Sequence, residues 1–320
     1  MDAWIWPGDW RLDLGVLGIA VALDAALPEP PRRIHPVVWM GRLTDFLERL
    51  APQSGRLKQL VAGAGIALLV PAVFAAAAGW AAWGLRELHP VAYLLGGGII
   101  LKTAFSVRGL AVAALAVARP LEENDLGEAR VRLRSLVGRD AATLTTPQVA
   151  GAAVESVAEN ATDGYAAPWL AFALLGFPGI FAYRAVNTLD SMIGYRGRHE
   201  WLGKASARLD DVINWAPARL TSMLSLLAGW TRGLALRRGW TVLTADAGKT
   251  ASPNAGWTIS AVAGLLGITL EKPGHYRLGE GMAEPSPVDI RSAVRLSFTI
   301  AALALALAGG LVVARNLVVG

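Results

Sequence analysis

The chain has 320 residues, of which 54% are hydrophobic and 17% charged, whereas a soluble domain carries roughly 45–50% apolar and about 25% charged residues, so lipid is part of the expected solvent. The absence of cysteine excludes disulfides, zinc–thiolate and iron–sulfur sites and thiol nucleophiles. The formal charge of +5 comes without a dense basic run, and it reads as Lys and Arg flanking membrane segments rather than as a nucleic-acid surface.

Residues 1–11 carry Asp2 and Asp9 together with Trp4, Trp6 and Trp10. A cleavable signal needs a basic start and a small-residue cleavage site, so these tryptophans read instead as an aromatic belt at a membrane interface. A spanning helix needs about 20 mostly apolar residues. Spans are expected near 59–85, 91–118 and 296–314, the second despite Lys102 and Arg108. Segments 12–27, 166–190, 212–231 and 250–270 are marginal, being short or broken by proline, glycine or a charge. Broken apolar segments at membrane depth are tolerated where they pack in protein or line a cavity.

Residues 119–162 read as a soluble helical stretch. Within it Leu126, Ala129, Leu133 and Val137 share one helix face, and Gly138 ends the helix. Thr146-Pro147 starts a second helix that runs to about Ala161. Sheet signals are weak throughout. The predicted fold is all-α: a polytopic helical membrane protein with broken or re-entrant helices, one domain over residues 1–320, and a helical active site at the cytoplasmic face. Loop 28–58 (Arg32, Arg33, Arg42, Arg49, Arg56, Lys58) and stretch 119–150 (Arg119, Arg130, Arg132, Arg134, Arg139) are predicted inside, and the 86–90 turn, with Arg86 alone, outside.

Five polar blocks are too polar to be membrane filler. The first, Asp24 to Arg42, is a proline-stiffened stretch carrying Asp24, Glu29, Arg32, Arg33 and His35. The second places Glu155 and Glu159 at i, i+4 and Asp163 four residues on, with Asn160 beside them. Like charges at that spacing repel unless a cation lies between them, and carboxylates with an amide suit Mg²⁺. The third aligns Arg184, Asn187 and Asp190 at the end of an apolar segment, where ionisable groups default to a functional reading. The fourth carries Arg208, Asp210, Asp211, Asn214 and Arg219: either an internal Arg–Asp pair, or carboxylates for an ion and guanidinium forks for phosphate. The fifth, Ser252-Pro-Asn254-Ala-Gly-Trp257, reads as a turn entering a helix whose N–H groups could meet an anion. The four histidines, His35, His89, His199 and His275, show no metal-ligand spacing, and no P-loop, dinucleotide fingerprint or Ser–His–Asp signature is present. Spacing alone gives a membrane enzyme or transporter handling an anionic or phosphorylated substrate with Mg²⁺.

Taken in order, the blocks resemble the CobD/CbiB family of adenosylcobinamide-phosphate synthases. The resemblance rests on His35-Pro-Val-Val-Trp-Met-Gly-Arg42, Val137-Gly-Arg-Asp140, Ala153 to Gly164 with Pro168, Tyr183 to Arg196, Ala205-Ser-Ala-Arg-Leu-Asp-Asp211 and Ser252 to Trp257. It implies a cell inner-membrane enzyme of late cobalamin (vitamin B12) assembly, a ligase joining the free propionate of adenosylcobyric acid to aminopropanol phosphate or to free aminopropanol. ATP as co-substrate and Mg²⁺ are implied, with the corrinoid, the aminoalcohol and the bilayer as partners and other late enzymes of the pathway as neighbours. A carboxylate must be activated before an amine can attack it, most simply as an acyl phosphate, and this gives roles. Glu155, Glu159, Asp163 and Asp190 take Mg²⁺ and its waters; Arg184, Arg208 and Arg219 clamp phosphates; Asn160 and Asn187 orient. Ser252, Asn254 and His35 complete the cofactor-binding set, and Asp210 or Asp211 accepts the amine proton. The competing readings are a non-catalytic AmpE-type membrane sensor, which would not need so many convergent carboxylates and amides, and an intramembrane prenyl- or phospho-alcohol transferase, whose repeated aspartate spacing is not completed here.

Overall fold

The computed structural model describes residues 9–138, 140–195 and 200–319. Trp4, Trp6, Arg139, Arg196 and His199 lie outside them. Helix is the dominant element: α1 (Trp10–Ala26), α2 (Pro36–Leu50), α3 (Arg56–Leu88), α4 (Pro90–Lys102), α5 (Val107–Glu122), α6 (Leu126–Leu133), α7 (Thr146–Ala161), α8 (Ala167–Ile193), α9 (Lys204–Ile213), α10 (Trp215–Thr231), α11 (Leu236–Asp246), α12 (Ala255–Leu266) and α13 (Pro287–Val319). Among the described residues four helical stretches are long and apolar enough to cross a membrane: Arg56–Leu88, Pro90–Glu122, Thr146–Ile193 and Pro287–Arg315. The chain is an all-α polytopic membrane protein.

The helices form two compact units, each from separate parts of the chain. The first comprises Met1–Ser106, Ala167–Ile213 and Ala306–Gly320. In it α3 packs along α8 and α1 along α4. The α1–α4 contact depends on the Gly-Gly-Gly run of α4, because a Cβ at Gly98 would sit 2.4 Å from the Ile19 side chain. Backbones approach closely where side chains are absent, a recurrent device of membrane helices. The core also holds charge. Asp13, 2% exposed, accepts a 2.6 Å hydrogen bond from Tyr93 Oη and pairs with Arg315, which also donates to the Ala173 carbonyl at 2.9 Å.

The second unit comprises Val107–Ala166 and Asn214–Leu305. Its centre is α7, capped by a Thr145–Gln148 box with Pro147 in the first turn. Every residue from Val149 to Ala158 is buried, so a helix read as part of a soluble stretch is enclosed on all sides. The cap is Thr145, one residue ahead of the Thr146 expected. α7 runs through one π-helical turn, Thr162–Ala166, into α8.

Three further features stand out, of which the break in α8 is the one that the interrupted run 166–190 leads one to expect. The run 91–118 is interrupted after Lys102, where residues 103–106 turn between α4 and α5. α8 is broken inside: Gly176 takes φ 64°, ψ −152°, a conformation open to glycine, with Pro178 just beyond. A small antiparallel hairpin, β1 (Leu270–Lys272) with β2 (Tyr276–Leu278), follows α12. Its strands are three residues each, too short for an alternating pattern to register.

Candidate functional site

The fourteen candidate residues divide between the units. His35, Arg184, Asn187, Asp190, Arg208, Asp210 and Asp211 belong to the first, and Glu155, Glu159, Asn160, Asp163, Arg219, Ser252 and Asn254 to the second.

In the first unit the cluster is built where α9 packs against α8. Gly194 and Gly203 permit it. A Cβ at Gly194 would lie 2.1 Å from Asp190 Oδ1, and one at Gly203 1.7 Å from the Ile193 carbonyl oxygen. Along α8, Arg184 Nη1 donates to Asn187 Oδ1 at 3.3 Å. With α9 against α8, the Asp190 and Asp211 charges act on one another. Asp211 lies 3.5 Å from Arg208 Nη1. Burial pushes the Asp211 carboxyl up from the ordinary aspartate value, against the opposing pull of Arg208, which suits a proton acceptor. Asp210 is half-buried beside it.

His35 serves the loop that enters α2. Its Nδ1 accepts the Val37 N–H at 3.2 Å, with Pro36 opening the helix. The proton of the neutral ring is therefore on Nε2, which donates to Glu29 Oε2 at 3.3 Å. Ser106 Oγ donates to Glu29 Oε1 at 2.6 Å, and Lys102 Nζ lies 3.0 Å from Glu29 and 3.8 Å from buried Asp24. Burial alone would raise the Glu29 carboxyl, but hydrogen bonds from His35, Ser106 and Lys102 and the Lys102 charge hold it at about 2. The first polar block is thus a charge cluster at the foot of α4, and its place in the fold gives His35 a capping and bridging task.

In the second unit Glu155 and Glu159 follow one face of α7, Glu155 almost wholly enclosed. Asp163 sits in the π turn, which changes the register from that of a continuous α-helix. Asn160 turns its amide nitrogen back to the Ser156 carbonyl at 2.9 Å. Tyr276, absent from the sequence-derived set, donates its hydroxyl to Glu155 Oε1 at 2.7 Å. The signal for its hairpin was the Lys272-Pro-Gly-His275 turn.

Arg219 lies against two indoles, its guanidinium carbon 4.3 Å from the Trp215 ring centroid and 4.6 Å from that of Trp257. Nη1 donates to the Trp215 carbonyl at 2.7 Å and to Asn254 Oδ1 at 3.3 Å. Desolvation lowers the Arg219 pKa from its usual value. Ser252 holds the turn that leads into α12. Its Oγ accepts the Asn254 and Ala255 N–H groups at 3.2 and 3.4 Å, and Thr250 Oγ1 accepts that of Gly256 at 3.1 Å. The first amides of α12 are therefore already engaged by the turn.

A resident Mg²⁺ cage does not fit these side chains: among the described residues no three of His, Cys, Asp and Glu converge to hold a metal. Paired carboxylates one helical turn apart fit a Mg²⁺ that keeps its waters and is carried by phosphate oxygens, since that ion commonly uses one or two carboxylates. A pocket of about 110 Å³ beside the first turn of α7 involves Gln148, Glu271, Arg277 and Glu284, and none of the fourteen.

Comparison with known proteins bears on the whole chain. The profile of the family described as CobD/Cbib protein matches residues 17–297. The "Cobalamin biosynthesis protein CobD" of Dehalococcoides mccartyi is 41% identical over 272 residues, covering 85% of this chain and 88% of that protein. The "Probable cobalamin biosynthesis protein CobD" of Methanothermobacter thermautotrophicus is 38% identical over 303 residues, 94% of this chain and 99% of that one. The "Cobalamin biosynthesis protein CbiB" of Salmonella typhimurium is 39% identical over 314 residues, 90% and 94% of the two chains. No solved structure matches.

Proposed function

The chain belongs to the CobD/CbiB family of cobalamin biosynthesis proteins, and from that premise we propose that it is an ATP-dependent acid–amine ligase. It joins the free propionate of adenosylcobyric acid to the amine of aminopropanol phosphate, or of free aminopropanol. The observation that supports this is the family match from residue 17 to 297, a range that contains all fourteen candidate residues.

The chemistry balances in two steps. A propionate oxygen attacks the γ-phosphorus of ATP and the bond to the ADP oxygen breaks, giving an acyl phosphate. The amine nitrogen then attacks the carbonyl carbon, the carbon–oxygen bond to phosphate breaks, and inorganic phosphate leaves. Asp210 or Asp211 accepts the amine proton, Asp211 being suited by its raised carboxyl. Arg184, Arg208 and Arg219 clamp phosphate oxygens, and guanidinium forks match that geometry. Asn160, Asn187, Asn254, Ser252 and His35 orient or brace the binding loops. Mg²⁺ enters as part of the MgATP substrate, with Glu155, Glu159, Asp163 and Asp190 as the carboxylates offered to it and to its waters. The protein is placed in the cell inner membrane with basic stretches 28–58 and 119–150 on the cytoplasmic side, where ATP is available.

The test is a mass-spectrometric assay of detergent-solubilised protein with adenosylcobyric acid, MgATP and aminopropanol phosphate. A corrinoid that gains the aminopropanol phosphate unit only with ATP supports the ligase. Absence of conversion with either aminoalcohol, in folded protein, overturns it in favour of the sensor reading.

A further inference from the structure

Helix α2 (Pro36–Leu50) has two unlike faces. Towards the protein, Met40 and Thr44 are buried. Thr188 Oγ1 of α8 donates to Met40 Sδ at 3.9 Å, and a Cβ at Gly41 would stand 3.3 Å from Met192 Sδ. On the other face Trp39, Phe46 and Leu50 are 44%, 58% and 68% exposed. They follow one another after seven and four residues, so at about 3.6 residues per turn they make one stripe. Arg42 and Arg49, both exposed, make a second row beside that stripe, and exposed Asp45 lies further round the helix. Trp39 also ties in the approach to the helix. Its Nε1 donates to the Arg33 carbonyl at 2.9 Å, which holds Arg33 and its exposed neighbours Arg32 and Ile34 at the start of the stripe.

A single exposed apolar residue is ordinary. A stripe of three large ones flanked by arginines is the pattern of a helix that lies in a bilayer surface. Spanning is excluded for α2: its 15 residues reach about 22 Å at about 1.5 Å each, against a hydrocarbon thickness of about 30 Å, and Arg42, Asp45, Glu48 and Arg49 are ionisable. Residues 51–55 separate α2 from α3, one of the four stretches long and apolar enough to cross. α3 opens with Arg56 and Lys58, cations of the kind that mark where a span leaves the bilayer. Five residues reach at most about 18 Å, so α2 ends close to that level. We propose that α2 is an in-plane interfacial helix seated on an anionic phospholipid surface. Trp39, Phe46 and Leu50 enter the boundary between headgroups and acyl chains, and Arg42 and Arg49 meet the lipid phosphates. The charges are complementary, because guanidinium forks match phosphate oxygens and cations beside a negatively charged leaflet strengthen its binding. The opposite face of α2 rests on α8 at Thr188 and Met192, so lipid that holds α2 also braces that turn of α8.

The chain has no cysteine, so single cysteines placed in the full-length protein can carry a spin label with no other change. With the protein in vesicles of phosphatidylcholine and phosphatidylglycerol, collision with oxygen and with a water-soluble nickel chelate reads the depth of each label. Labels on Phe46→Cys and Leu50→Cys should lie about 5–10 Å into the boundary between headgroups and acyl chains, the depth of interfacial helices. A label on Asp45→Cys should stay in water. In phosphatidylcholine alone the labels at positions 46 and 50 should move outward, and Arg42→Gln with Arg49→Gln should remove most of the difference between the two lipids. The two apolar positions are independent, so a variant that fails to fold leaves the other to decide. Nickel accessibility at positions 46 and 50 equal to that at position 45 overturns the proposal. Labels that broaden one another across copies, with no depth in lipid, overturn it in favour of a second copy of this chain on the same face. Labels whose depth ignores both the phosphatidylglycerol and the two arginines overturn the pairing with anionic headgroups.

Discussion

Lys102 Nζ lies 3.0 Å from Glu29 Oε2, so the charge that interrupts the second apolar run meets the proline-stiffened loop rather than lipid. Helix α4 stops at Lys102, and the chain turns before α5 begins. An ionisable group inside an apolar run is expensive unless paired; here it is paired, and Asp24 lies within 3.8 Å as well.

The Glu29 carboxyl, held at about 2 against an unfolded value of 4.5, makes a pH prediction. A lowered folded pKa contributes stability above about pH 4.5 that is lost as pH falls toward 2. The shift corresponds to about 3 kcal/mol before screening, and with the side chain 38% exposed about 1 kcal/mol is the realistic share. Glu29→Gln should lower the melting temperature by about 2–4 °C at pH 7. Thermal unfolding in detergent between pH 7 and pH 3 should show the gap to wild type narrowing; a constant gap would refute the pairing account.

The Asp13–Arg315 pair predicts a different pattern. Both side chains are under 10% exposed and Tyr93 adds a hydrogen bond. Removing one member of a buried pair strands the other and costs about 3–5 kcal/mol, whereas replacing both by apolar residues is far milder. Asp13→Leu alone should reduce thermal stability severely, and Asp13→Leu with Arg315→Met should recover most of it. Equal losses in single and double variants would show that the charges do not depend on each other.

The all-α class and the longest spans were legible because apolar runs of that length need only composition. So was the end of α7, and the face shared by Glu155 and Glu159 follows from helical period alone. What stayed hidden depends on non-local contact. Asp13 and Arg315 are 302 residues apart, and Tyr276 sits on three-residue strands. The enclosure of α7 could not be read from a stretch whose neighbours include Arg130, Arg132 and Arg134. Ser252 and His35 were singled out for chemistry, yet their first task in the fold is to satisfy backbone amides at helix starts, a role that Ser, Asn and other capping residues share irrespective of function.

Asp211 and Asp210 are the two candidates for the proposed general base, and pH separates them. A raised folded pKa means that Asp211 stabilises the fold at pH below about 3.8, its unfolded value, and that this contribution is lost as pH rises through the folded value. At pH 7 Asp211→Asn should therefore leave stability equal or slightly higher. As general base its loss should lower kcat by about 10²–10⁴-fold and remove the acid limb of the pH–rate profile. If Asp210→Asn alone produces that signature, the base is Asp210.

Glu159→Ala and Asp190→Ala test the carboxylates offered to Mg²⁺. Each should lower corrinoid conversion by at least about tenfold, and part of the loss should be recovered at raised Mg²⁺. Activity near wild type in both variants, measured by corrinoid mass, would remove them from the site.

Arg219 offers the sharpest distinction between charge and shape. With Trp215 and Trp257 both against its guanidinium and one nitrogen hydrogen-bonded to Asn254, Arg219 is already oriented, so in the proposed phosphate clamp little rotamer freedom would be left to lose on binding. Lysine at this position would keep the charge but could neither stack as a plane nor present a fork. Arg219→Lys should therefore behave more like Arg219→Ala than like wild type, with the KM for MgATP raised. Trp257→Leu leaves the arginine but removes one wall. A cation–π contact contributes about 0.5–2 kcal/mol depending on solvation, and tenfold corresponds to about 1.4 kcal/mol, so the expected rise in KM is about 2- to 30-fold with kcat little changed. Steady-state kinetics in MgATP for the three variants decide the matter. Full activity in Arg219→Lys would mean that a point charge suffices and that the two tryptophans serve the membrane boundary rather than the phosphate.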